Sequence, residues 1–135
     1  MSRTWCLLVF LAFLPIGEAA SNYFHLDGNF TCNLNRPFSY QITVMELDAI
    51  TGELSDDDHI GGGSWVTANT SPARYYVEAV DYHDGPFWNY YFEVGFVILH
   101  DCGPQQMKYH VRIGDFWISL VNHVHKRTTN IDLTN

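Results

Sequence analysis

Apolar and polar side chains alternate at a period of two through most of the chain after residue 20, and this pattern constrains the fold more than any other feature. In the clearest segment, Tyr40, Ile42 and Val44 alternate with Gln41 and Thr43. No stretch keeps an apolar period of 3.6 for long enough to predict a helix. Roughly seven short strands separated by turn residues predict an all-β fold, a β-sandwich in a single domain.

The strand and turn signals can be placed along the chain. The polar stretch from Asp48 to Gly63 is expected to be a long exposed connection, and Gly114-Asp115 is expected to turn the chain. The most apolar segment, Phe87 to Cys102, predicts the centre of the core. Strand patterns cover Phe24 to Cys32, Tyr40 to Leu47, Ser64 to Ala68, Arg74 to Tyr82, Phe87 to Cys102, Met107 to Ile113 and Asn130 to Leu133.

The N-terminus has the pattern of a cleavable secretion signal. Arg3 precedes an apolar run from Trp5 to Ile16, which is shorter than the roughly 20 residues that cross a bilayer. Small side chains at Gly17 and Ala19 predict cleavage after Ala19, with Ala20 as the alternative. Residues 1–19 are therefore interpreted as a signal peptide and residues 20–135 as the domain, which we expect to be secreted and extracellular, either free or at the cell surface.

The cysteine count follows from that cleavage. Cys6 leaves with the signal, so Cys32 and Cys102 remain of the three cysteines. In an oxidising compartment two cysteines predict a disulfide, which would close a loop of about 70 residues and contribute roughly 4 kcal/mol. A metal site or a catalytic thiol is the rival interpretation, but two isolated cysteines lack metal-site spacing.

Two triplets match the acceptor pattern for N-glycosylation, at Asn29 and at Asn69. Asn69 is the better candidate, since Ser71-Pro72 predicts an exposed turn. Asn29 lies beside the expected disulfide.

The net charge of −8 is unchanged by removal of Arg3 and Glu18. A chain this acidic repels phosphate backbones, so nucleic acid is not an expected partner. Direct attraction to anionic lipid is also not expected unless a bound cation bridges the two.

His123 and His125 lie two apart on an expected strand and would share a face, where they could bind one metal ion with His110 as a third ligand. The favoured interpretation is two imidazoles facing solvent. Asp56-Asp57-Asp58 could bind calcium but lacks EF-hand spacing, so a solvated loop is favoured there. No cofactor is predicted.

His100-Asp101-Cys102 contains residue types used in nucleophilic catalysis, but neighbours on a strand point to opposite faces. His100 is therefore interpreted as a packed or hydrogen-bonded histidine near the disulfide. The aromatic residues exceed what one buried face needs, so some are expected to face outward or to line a groove. This set comprises Tyr75, Tyr76, Tyr82, Phe87, Trp88, Tyr90, Tyr91 and Phe92.

The order of these features resembles the transthyretin-like family of secreted nematode proteins. The most specific match is the strand end Val97-Ile98-Leu99-His100-Asp101-Cys102, while Ser71 to Tyr76 replaces a usual family turn and marks a divergent member. Weaker matches cover Gly28 to Pro37, Ile42 to Asp48, Leu54 to Asp58, Val111 to Ile113 and Thr129 to Leu133.

The resemblance implies a transthyretin-type β-sandwich, secretion and homo-oligomerisation, with extracellular transport or cell-surface bridging as roles. The first functional hypothesis is accordingly a non-enzymatic module that binds a small apolar ligand or a cell-surface protein or lipid. The second is a hydrolase, because transthyretin-fold relatives include hydroxyisourate hydrolases that use His and Arg. Their terminal Tyr-Arg-Gly-Ser is replaced here by Asp132-Leu133-Thr134-Asn135. A structural component of an extracellular matrix is the third.

Overall fold

The computed structural model describes residues 20–47, 57–82 and 90–134, and all regular structure in these ranges is β. The predicted signal peptide therefore lies outside the described residues. The described ranges also contain no helix long and apolar enough to cross a membrane. The strands are β1 (Ser21–Thr31), β2 (Phe38–Glu46), β3 (Asp58–Ala68), β4 (Ala73–Tyr82), β5 (Tyr91–His100), β6 (Met107–Trp117), β7 (His123–Thr128) and β8 (Ile131–Asp132).

These strands form one sheet in the order β6-β5-β2-β3-β4-β1-β7, and β8 pairs with β1 beyond β7. Neighbours are antiparallel, except that β1 runs parallel to β7 and β8. Pairing is extensive at most joins along this path. At the join between β3 and β4, however, only Gly61 and Ala79 are paired, so the sheet is nearly divided there.

The sheet curls until its two halves face each other. Phe24 of β1 packs edge to face on Phe92 of β5, with ring centroids 5.5 Å apart, and on Phe116 of β6 at 5.3 Å. Since β2, β3 and β4 separate β1 from β5 in the sheet, these rings meet only because the sheet folds back on itself. The all-β prediction is confirmed, and the architecture is a curled, sandwich-like half-barrel.

The core fills the inside of the curl. β1, β2 and β5 bury every second side chain over most of their length, as expected for strands with one covered face. Phe92, Val94, Phe96 and Ile98 of β5 are all buried, so the described part of the segment predicted to be central does lie in the core. Each fully buried large apolar side chain contributes about 1.5 to 3 kcal/mol relative to exposure.

A disulfide joins the two halves of the curl. The Sγ atoms of Cys32, just after β1, and Cys102, just after β5, lie 2.07 Å apart, and the Cα atoms are 5.8 Å apart. Both residues are buried. This is the pair that the cysteine count predicts.

The prediction of an exposed connection from Asp48 to Gly63 is wrong from Asp58 onward, where β3 begins. The reason is tertiary, because β2 supplies a long antiparallel partner for this polar, glycine-rich segment. Gly61 has no side chain to collide with β4, where a Cβ would overlap the carbonyl oxygen of Glu78. Gly62 has a φ of 77°, which favours glycine.

The predicted turn at Gly114-Asp115 is also wrong. β6 continues through both residues to Trp117, because β5 offers a partner along this whole length. Gly114 lies opposite Val94 at a shift of register, with a φ of 151°. The glycine therefore marks a bulge rather than a turn.

Candidate functional site

The near-division of the sheet leaves an open slot between β3 and β4. The two strands meet at Gly61 and Ala79 and are joined by a short connection over residues 69–72, and between these points they diverge. The cavity in the gap measures about 300 Å³. Its lining comprises Tyr40, Ile42, Gly62, Gly63, Ser64, Val66, Tyr75, Tyr76, Val77 and Glu78.

The walls of the slot are core side chains that lack a cover. Val66 lies opposite buried Tyr40 in the β2–β3 register, so the two share the inner face of the sheet. Val66 is nevertheless 44% exposed, because β4 has diverged from β3 at this level. Ile42 and Val77 are buried around the same gap.

Tyr40 adds a polar group to this apolar cavity. Its side chain is packed against Phe30, with ring centroids 4.8 Å apart, and the residue is only 4% exposed. Its hydroxyl has no hydrogen-bond partner among the described residues, and burial raises its pKa. The neighbouring Tyr75 differs, since its hydroxyl donates to the carbonyl oxygen of Thr129 at 2.6 Å. Tyr40 thus leaves an unmatched hydroxyl in the wall of the slot.

The rim of the slot on β4 carries a carboxylate. The Tyr76 hydroxyl donates to Oε1 of Glu78 at 2.6 Å, and Nε2 of His25 lies 3.6 Å from the same oxygen. The hydrogen bond to Glu78 raises the pKa of Tyr76, and the negative charges of Glu78 and Asp27 raise it further. The mouth of the slot is therefore electronegative.

A second and larger cavity, of about 590 Å³, lies between two turns near the disulfide and is lined by residues 31–37 and 69–72. Most of its lining is polar, and it includes Asn69, which is exposed as its sequon requires. The other sequon residue, Asn29, donates its side-chain amide to Asn130 Oδ1 at 3.2 Å. Asn29 is exposed as well, so exposure does not separate the two sequons.

The two histidines of β7 share a face, as their spacing predicts, and their ring centroids lie 4.7 Å apart. His123 is exposed, but His125 is partly buried, stacks on Phe24 at 5.1 Å and contacts Asn22 Oδ1 through Nε2 at 3.1 Å. The expectation of a solvent-facing imidazole is therefore wrong for His125.

The suggested third metal ligand, His110, does not join this pair. It lies opposite Val97 on the outer face of the β5–β6 ladder, whereas His125 points to the inner face with Phe24. The described ranges contain no group of three or more His, Cys, Asp or Glu side chains that could hold a metal ion. Asp56 of the acidic triplet lies outside those ranges, and Asp58 begins β3.

His100 is packed near the disulfide and is only 1% exposed, which agrees with its interpretation from the sequence. Its Nδ1 has no hydrogen-bond partner within the described ranges, and burial lowers the pKa of His100. His100 and His110 lie on opposite faces of the β5–β6 ladder.

Exposed apolar side chains collect at one end of the molecule. Tyr90 and Tyr91 both pack on Trp117, with centroids 5.9 and 5.1 Å away. The loop after β6 continues this surface with Leu120, which is 86% exposed, and with Val121. The prediction that some aromatic residues face outward therefore holds, although Phe87 and Trp88 lie outside the described residues.

Sequence reasoning missed the slot itself. Tyr40 and Val66 carry only the signal of inward-facing strand residues, and nothing local shows that β4 leaves them uncovered. The glycine run at residues 61–63 is the signal that could have pointed there, since glycines within a strand mark bulges and close approaches.

Comparison with known proteins finds no matching family model, no similar curated protein and no similar solved structure.

Proposed function

We propose that this chain is a secreted, non-enzymatic binding protein with a transthyretin-type fold, and that the slot between β3 and β4 holds a small, largely apolar ligand. The observation that carries the proposal is the exposure of Val66 on the inner face of the sheet, beside buried Tyr40 and Ile42. Small-molecule sites are concave and mostly apolar with a few polar groups, and they start at about 300 Å³. The slot fits this description.

Secretion is supported by the disulfide, because such bonds persist in oxidising compartments and stabilise small domains there. The exposed apolar end around Trp117 and Leu120 offers a second contact surface. In the proposed role, that end would meet a cell-surface protein or lipid, or a second copy of the chain, while the slot carries the ligand.

The proposal is tested with the purified secreted chain and the neutral fluorescent probe N-phenyl-1-naphthylamine. We expect saturable binding with a fluorescence increase, and we expect Val66→Trp to weaken it at least tenfold because the indole fills the slot. Val124→Trp is the matched control, since Val124 is also a strand valine and is 42% exposed, but lies on β7. It should bind the probe as the unmodified chain does.

Two results would count against the slot as the binding site. One is that the unmodified chain fails to bind the probe. The other is that Val66→Trp and Val124→Trp bind it equally well while circular dichroism shows both to be folded.

A further inference from the structure

The charges at the mouth of the slot indicate which ligands it can take. Glu78 reaches the mouth from β4 with a side chain that is 64% exposed. Its nearest polar neighbours are the Tyr76 hydroxyl and the His25 imidazole, and the ion pairs of the described residues give it no Lys or Arg partner. Its carboxylate is thus available to a cation from outside.

A second carboxylate adds to the negative potential on this side. Asp27 lies opposite Tyr76 in the β1–β4 register, and its charge contributes to the raised pKa of Tyr76. Asp27 is already engaged by Arg74, at 3.5 Å, and by the Thr128 hydroxyl. Glu78 is therefore the group that a charged ligand would meet, while Asp27 repels anions from the same region.

The wall of the slot supplies a hydrogen-bonding group. The Tyr40 hydroxyl has no hydrogen-bond partner among the described residues and is not one of their buried unpaired polar atoms, so it is open to water in the slot. A ligand that only filled the slot with carbon would bury this hydroxyl unpaired, which costs free energy. A ligand with a hydrogen-bonding group at the end that enters the slot would avoid that cost.

Resting on the proposed function, we propose that the slot binds a small amine whose ammonium pairs with Glu78, whose apolar body lies against Val66, and whose far end carries a hydrogen-bonding group for Tyr40. A volume of about 300 Å³ lies at the lower end of the range for small-molecule sites, which suits a small ligand of this kind. An ammonium gains a charge-assisted hydrogen bond at Glu78 that a neutral group of the same shape does not. An anionic ligand would be repelled by the net charge of −8 and by the carboxylates at the rim of the slot.

Three probes of nearly the same size separate these contributions: tyramine, 2-phenylethylamine and 2-phenylethanol. Calorimetry with the purified secreted chain should give 2-phenylethylamine at least tenfold tighter binding than 2-phenylethanol. Tyramine should bind several-fold tighter than 2-phenylethylamine, because its phenol reaches Tyr40.

Two variants assign the two preferences to their residues. Glu78→Gln should abolish the preference for the amine over the alcohol. Tyr40→Phe should abolish only the preference for tyramine. Glu93→Gln is the control, since Glu93 is a carboxylate on β5 that pairs with Arg112 and does not line the slot. It should leave both preferences unchanged.

The outcomes distinguish the ligand class from the site. If amine and alcohol bind equally, or if Glu78→Gln keeps the preference, the amine inference is overturned while the slot remains a binding site. The inference also fails if none of the three probes binds, although the chain still binds N-phenyl-1-naphthylamine and Val66→Trp weakens that binding. If that neutral probe is not bound either, the proposed function fails with it.

Discussion

Two histidine side chains, buried His100 and partly buried His125, make the stability of the fold depend on pH. Asn22 Oδ1 accepts a hydrogen bond from the backbone N–H of Ser119, so His125 must donate to the same oxygen through Nε2. Burial lowers the pKa of His125, and the nearby charge of His123 lowers it further. Burial also lowers the pKa of His100. The folded chain therefore binds protons at these sites less readily than the unfolded chain does.

This difference predicts how stability depends on pH. An unfolded imidazole titrates near pH 6.5, and the pKa values of the two folded histidines lie below that. As the pH drops from about 7 towards 5, the unfolded chain therefore takes up protons first, and the free energy of unfolding falls. His125→Gln keeps a hydrogen-bond donor for Asn22 and should reduce the fall in the free energy of unfolding at low pH. Urea unfolding between pH 8 and pH 5 measures that fall, and His110→Gln, at an exposed histidine, is the control. An equally steep profile in His125→Gln would contradict the assignment.

At the scale of elements, close packing between β1 and the end of β7 sets the geometry of one half of the curl. Gly28 of β1 lies against the carbonyl oxygen of Thr129, which also accepts the Tyr75 hydroxyl. The carbonyl thus ties β4 to the segment between β7 and β8, and Gly28 leaves the room for this contact.

We predict that Gly28→Ala costs about 1 to 3 kcal/mol or more of unfolding free energy, because the new Cβ would overlap backbone atoms that cannot move aside. Gly103→Ala is the control. Its Cβ would meet the flexible Met107 side chain, with Sδ at 3.1 Å, and should change stability little. Equal urea midpoints for the two variants would show that this corner of the sheet is not closely packed.

Strand prediction succeeded where the pattern is local and failed where a partner strand decided the outcome. The alternation of Tyr40, Ile42 and Val44 suffices to predict β2, because side chains on one covered face repeat every two residues. The sequence predicts a connection at Gly61 and a turn at Gly114, because glycine favours both. Each lies within a strand, since pairing with β2 or β5 compensates for the poor local propensity.

At the scale of the whole molecule, the disulfide connects parts of the sheet that are far apart along it. β1 and β5 are separated by three strands in the sheet, yet Cys32 and Cys102 follow them directly and meet inside the curl. The bond therefore holds the two halves of the half-barrel together at the end away from the exposed apolar loop.

We predict that the double variant Cys32→Ala/Cys102→Ala loses about 4 kcal/mol of unfolding free energy. The disulfide closes a loop of 70 residues, and without it the unfolded chain has more conformational entropy. Urea denaturation of the variant and of the oxidised chain measures the difference. The reduced parent chain should match the variant. A loss below about 1 kcal/mol would show that the loop is already constrained in the unfolded state.

The residue pattern alone predicts the all-β class, most of the core face and the disulfide pair, because these depend on side-chain period and on residue types that can be read locally. Tertiary structure alone decided that β3 and β4 separate after Gly61, that Val66 is left uncovered and that Glu78 stands at the mouth of the slot. Which strands pair, and where pairing stops, depends on contacts between residues distant in the chain. A period of two places a side chain on a face without saying what covers that face.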